Sequence, residues 1–239
     1  MPRFSYLSFC GGLVLWAMLG VAGMGAAPAL AADEAGESAG GSAEAKGHGF
    51  HSYFINREVE SDNIDMFPRW VGMLERYKGE AHTLDTICGG QLYSACKLKE
   101  WKEFLEGLRD ESLMDQIDAI DHFINQYPYI DDIVNWGFDN YWETPYEFQR
   151  KSGNCKDYAI AKFMSLRALG VSNSLMRVVV VQDLNLGGII HAVLVVFVDG
   201  KAYILDNQIK QVIPALSVYH YVPIYSINEQ HWWRHFMLH

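Results

Sequence analysis

An α+β fold with its helices ahead of its sheet is what this sequence predicts, on three observations. Apolar residues recur at helical spacing up to about Tyr127. Beyond Gly170 the period becomes that of strands rich in Val, Ile and Tyr, and Asp199-Gly200 stands between two of these strands as a two-residue hairpin turn. At 239 residues with 50% hydrophobic and 13% aromatic content, the chain can bury one substantial core, so a single domain is expected.

The elements follow in order. Arg3, a nearly uncharged stretch from Leu7 to Ala27 and the small-residue pattern Ala29-Leu30-Ala31 read as an export signal over residues 1–31, cleaved near Ala31. An uncleaved anchor is the alternative, because the apolar run is almost long enough to span a bilayer. Residues 32–49, rich in Ala, Gly, Ser and Glu without an apolar period, are expected to be a disordered linker, and the domain then covers residues 50–239. The formal net charge of −10 argues against nucleic acid as a partner.

From Phe50 to about Tyr127 three helical stripes are legible: Phe67, Trp70, Val71 and Leu74; Trp101, Phe104, Leu105 and Leu108; Leu113, Ile117, Ile120 and Ile124. These are core faces and carry no chemistry. Thr144-Pro145-Tyr146-Glu147 is a helix start, with a hydroxyl N-cap, proline at the first position and Glu placed to close a capping box. That helix ends by Gly153. A second begins with Asn154 as N-cap and Asp157 in its first turn, buries Ala159, Phe163, Leu166 and Leu169, and stops at Gly170. Strands are then expected over 176–181, 189–198, 202–205 and 218–227.

Three residues in this frame can carry chemistry. Cys155 stands in the first turn of a helix, where unpaired amide donors and the helix dipole favour thiolate over thiol. In an oxidising compartment Cys88 and Cys96, near neighbours around a glycine pair, are expected to form a disulfide, leaving Cys155 unpaired once Cys10 departs with the signal. If Asp199-Gly200 is a two-residue turn, Val198 faces Lys201 and Val193 faces Asp206, which sets His191 and Asp206 on one face as diagonal neighbours. Asp206 would then hold the imidazole of His191 through one nitrogen and leave the other for the thiol. The Cys155 backbone amide is the expected oxyanion donor, with the second donor unassigned. Other positions are weaker. His231, His235 and His239 would align on a helix but are expected to belong to a frayed terminus; Asp131-Asp132 is expected to be a solvated turn; Trp142 suits either the core or the wall of a cleft.

Trp142-Glu143-Thr144-Pro145, Gly153-Asn154-Cys155-Lys156-Asp157-Tyr158-Ala159, His191-Ala192-Val193-Leu194 and Leu205-Asp206-Asn207 together resemble the bacterial transglutaminase-like cysteine peptidases, and among them the periplasmic proteases that process adhesins. The resemblance implies a papain-like, transglutaminase-type fold with a Cys155-His191-Asp206 triad. It also implies periplasmic cleavage of a large surface adhesin near its N-terminus, hence control of biofilm attachment, and sequestration by an inner-membrane cyclic di-GMP receptor. Two other functions remain open on the residues: acyl transfer to amines, or a catalytically silent module that docks on a membrane receptor. Members of the family carry acidic residues on both sides of the nucleophile and bind calcium there. In this chain the corresponding positions are Asn154 and Lys156, with Asp157 retained, so no cofactor is expected and calcium binding should be weak or absent. The Lys156 ammonium is expected to substitute in part for the metal's charge.

Overall fold

A helix buried along its first twelve residues organises the molecule. The computed structural model describes residues 56–80 and 93–237, so the expected signal peptide, the linker and the Cys88–Cys96 pairing lie outside what is described. The central helix is preceded by α1 (Pro68–Glu80), α2 (Tyr93–Gly107), α3 (Leu113–Ile124), the short α4 (Asp132–Trp136) and α5 (Pro145–Lys151), and is itself α6 (Cys155–Ala168). Helix α5 starts as expected: Thr144 Oγ1 accepts the Glu147 amide at 3.2 Å and Glu147 Oε2 accepts the Thr144 amide at 2.7 Å. Helix α6 ends with Gly170 at φ +93°, where the Val171 amide closes on the Leu166 carbonyl.

One face of a seven-stranded antiparallel sheet covers α6. Its strands are β1 (Asn56–Ser61), β2 (Met176–Asp183), β3 (Ile189–Val198), β4 (Lys201–Leu205), β5 (Ile213–Pro214), β6 (Tyr221–Ile227) and β7 (Trp232–Met237), in the order β1-β7-β6-β2-β3-β4-β5. The two-residue hairpin is present. Val198 pairs with Lys201 and Leu194 with Leu205, and Asp199 and Gly200 both have positive φ, as a type I′ turn requires. Both faces of the central strands are buried. Val178, Leu194, Val196 and Leu205 pack toward the helices, while Val179, Val181, Val193, Val195 and Phe197 pack under Ala215, Val218 and Tyr221. That explains the unbroken valine run of β2, which no simple alternation describes.

Three expectations are corrected. Residues 56–61 are a strand rather than part of the helical half, and they pair with β7. His235 does not lie on a helix or a frayed end, because residues 232–237 are that strand; His231 precedes it, and His239 lies outside the described residues. The strand expected from Val218 begins at Tyr221, after a one-turn helix at Ala215–Ser217. Trp142 is in the core, edge-on to Trp70 with ring centroids 6.0 Å apart.

Because residues 155–166 of α6 are all buried, the charges they carry need internal partners. Lys162, fully buried, reaches Asp121 of α3 at 2.6 Å. Burial pushes Asp121 up and Lys162 down, each opposed by attraction to the other. Asp121→Ala is expected to lower the unfolding free energy by about 3–5 kcal/mol by stranding a buried ammonium, and the pair Asp121→Leu, Lys162→Met is expected to recover most of that loss. Urea denaturation followed by tryptophan fluorescence measures both.

Candidate active site

The site is built around the first turn of α6. Gly153 lies so close to this turn that a Cβ there would come within 2.7 Å of Asp157 Cβ and Oδ2, so only glycine fits. Its carbonyl accepts the Ile130 amide at 2.9 Å, and Tyr129 bridges to Gly153 in parallel. These contacts stitch residues 129–132 against the loop that carries the cysteine. Asp157 turns back over the helix start, taking the Asn154 amide on Oδ2 and the Glu143 amide on Oδ1, each at 3.0 Å.

Asp132, expected in a solvated turn, is instead buried beneath this loop. Lys156 Nζ donates to Asp132 Oδ1 at 2.9 Å and Oδ2 at 2.8 Å, to Asn154 Oδ1 at 2.8 Å and to Asp157 Oδ2 at 3.0 Å. The ammonium, on a side chain 2% exposed, thus sits inside a cage of side-chain oxygens. Burial pushes the Asp157 carboxyl up, with Lys156 pulling the other way. Burial, and next the charge of Asp157, push the neighbouring Glu143 up to about 9, so it is a neutral acid at pH 7. Its Oε1 accepts Trp136 Nε1 at 2.7 Å and Asn135 Nδ2 at 3.3 Å.

Cys155 occupies the first helical position and is 1% exposed, in a small cluster with Val180 and Ala192 against which Tyr129 packs. The Tyr129 hydroxyl is hydrogen-bonded to the Cys155 backbone, at the amide expected to serve as oxyanion donor.

His191 and Asp206 are brought together. His191 Nε2 lies 2.9 Å from Asp206 Oδ1, and Nδ1 lies 3.4 Å from Gln208 Nε2. Asp206 is held from three further sides: the Gln208 amide donates to Oδ1 at 2.9 Å, the Tyr221 hydroxyl donates to Oδ2, and Asn125 Nδ2 donates to its backbone carbonyl at 2.8 Å. Burial pushes this carboxyl up, but hydrogen bonding and charge from His191, with help from Tyr221 and the Gln208 amide, hold it below its ordinary range. Ala192, next to His191, packs against Cys155, whereas Val181, the cross-strand partner of His191, packs on the opposite face.

The other histidines lie elsewhere. His235, in β7, has Nε2 3.0 Å from Ser226 Oγ and is pushed down to about 3 by burial and then by Arg177. Among the described residues no group of three or more His, Cys, Asp or Glu side chains is arranged to hold a metal ion. Reasoning from sequence did not find Asp132, Glu143, Tyr129, Gln208 or Tyr221. The one signal available for Asp132 was a carboxylate pair set between Ile130 and Ile133-Val134.

Comparison with known proteins agrees with this architecture. A family model described as bacterial transglutaminase-like cysteine proteinase matches residues 87–238. The structure of Legionella pneumophila LapG is similar at 26% identity with a TM-score of 0.56, covering 67% of this chain and 86% of that one. Its calcium-bound form gives 26% identity and a TM-score of 0.54, covering 65% and 83%. The EGTA-treated form gives 26% and 0.56, covering 67% and 84%. No curated protein sequence matches.

Glu143 generates a prediction about pH. An acid whose folded pKa is raised stabilises the fold fully below its unfolded pKa, and that contribution is lost as pH climbs toward the folded value. Wild-type stability relative to Glu143→Gln, which keeps the acceptor for Trp136, is therefore expected to fall steadily from about pH 4.5 to about 9. Thermal melts of both proteins across that range test this; parallel curves would show that Glu143 is ionised in the native state.

Proposed function

The chain belongs to the bacterial transglutaminase-like cysteine proteinases and is a cysteine peptidase, and from that premise we propose that Cys155, His191 and Asp206 form its catalytic triad. The observation that carries this is the buried hydrogen bond between His191 Nε2 and Asp206 Oδ1, which orients the imidazole as a base. Since Asp206 engages Nε2, the nitrogen left to act as base is Nδ1, and the weakly placed Gln208 amide is what the sulfur must displace there. His191 takes the Cys155 proton, and the thiolate attacks the peptide carbonyl. The tetrahedral oxyanion accepts the Cys155 amide, in the place the Tyr129 hydroxyl holds at rest. Collapse breaks the C–N bond, His191 returns its proton to the leaving amine, and water then hydrolyses the thioester.

The proposed substrate is a large surface adhesin, cut near its N-terminus at paired alanines in the periplasm, with consequent release of biofilm attachment. The proposed regulator is an inner-membrane cyclic di-GMP receptor that sequesters the protease. Family resemblance supports this part of the reading, as does the likeness to LapG. Calcium, which that relative binds, has no step in the proposed mechanism, because the oxygens around Lys156 are already satisfied by an ammonium.

The test is cleavage of an adhesin fragment containing an alanine pair, by the full chain under reducing conditions. Cleavage is expected to vanish in Cys155→Ala and His191→Ala, and to fall by a factor on the order of 10³–10⁴ in Asp206→Asn. Full activity in His191→Ala would overturn the triad. Incorporation of a fluorescent primary amine in place of cleavage would identify acyl transfer instead.

A further inference from the structure

The Lys156 cage is more built than a chance ion pair. Four oxygens from three residues surround one nitrogen at 2.8–3.0 Å, and each supporting residue is fixed by a separate device. Asp157 is tied to two backbone amides and walled in by Gly153. Asn154 is the N-cap of α6. Asp132 is carried by the segment stitched to the Gly153 carbonyl. Two buried carboxylates and an amide oxygen converging on one point are the donor set a hard divalent cation takes, although calcium–oxygen distances run shorter, at roughly 2.3–2.6 Å. The cage here is therefore opened to fit hydrogen bonds from nitrogen.

We propose that Lys156 is a built-in cation, which holds the first turn of the nucleophile helix in place without metal, and that removing its ammonium turns the same oxygens into a divalent-cation site. Without the positive charge, Asp132 and Asp157 are left as like charges in a buried space and repel. An incoming cation of sufficient charge density replaces what the side chain supplied. The consequence for catalysis rests on the proposed triad, but the cation dependence is read from stability and binding, so either can fail without the other.

Lys156→Ala and Lys156→Gln test the proposal, each melted in EGTA and in calcium chloride, with calorimetric calcium titration of both and of the wild type. The wild-type melting temperature is expected to be the same in EGTA and in calcium. Both variants are expected to melt lower in EGTA and to regain roughly 5–10 °C at calcium about 100-fold above its dissociation constant. Adding Asp132→Asn to either is expected to abolish the response. If Lys156→Ala fails to fold in EGTA, refolding in calcium supports the proposal. Calcium stabilisation of the wild type would overturn it, as would two folded variants that ignore calcium.

Discussion

A helix whose first twelve residues are all buried must find inside the protein a partner for every charge they carry, and α6 imposes that constraint on everything around it. Lys162 requires Asp121, which places α3 across the middle of the helix. Lys156 requires Asp132 and Asp157, which fixes the segment before α4 against the helix start. Coulomb attraction alone does not make such pairs favourable, since the cost of taking both ions out of water is of comparable size. What the pairs supply is uniqueness: a shift of α6 by one turn would leave two ammonium groups without acceptors. The cysteine at its N-terminus is positioned by that register.

Much of this was legible in the chain. The hairpin at Asp199-Gly200 let the pairing of β3 with β4 be counted from sequence, because a type I′ turn permits one register and glycine and aspartate are its usual occupants. The capping box at Thr144 was legible for a similar reason: the groups that satisfy each other lie three residues apart. What escaped was long-range. Nothing near Asp132 announces that its partner stands at position 156, and residues 56–61 become a strand only because β7 offers them an edge more than 170 residues later. His235 illustrates the same limit. The spacing of four that it shares with His231 and His239 fits a helix, but neighbouring strands decided its conformation.

The resting arrangement around the cysteine also differs from a simple picture of three residues in line. The imidazole is already oriented by its carboxylate, whereas the sulfur is buried beside Ala192. Nδ1 of His191 is held weakly, by Gln208 at 3.4 Å. A thiolate and an imidazolium in a low-dielectric site stabilise each other strongly, which gives the base a reason to leave that contact for the sulfur.

Two buried acids in this region have opposite fates, and the contrast shows how the fold assigns charge. Asp206 receives three donors on its carboxylate, one of them an imidazole that becomes positive during turnover, and stays anionic despite its burial. Glu143 receives only neutral donors on one oxygen, while its other oxygen has no hydrogen-bond partner and Asp157 lies close by. Burial is common to both, so it cannot be what separates them; the number and charge of the donors is. The result is a fixed negative charge on the side that orients His191. On the side of the cysteine loop, Lys156 offsets one of the two negative charges of Asp132 and Asp157, and Glu143 stays protonated, so the loop carries one net negative charge rather than two. That leaves less repulsion for the helix terminus to overcome in favouring the Cys155 thiolate.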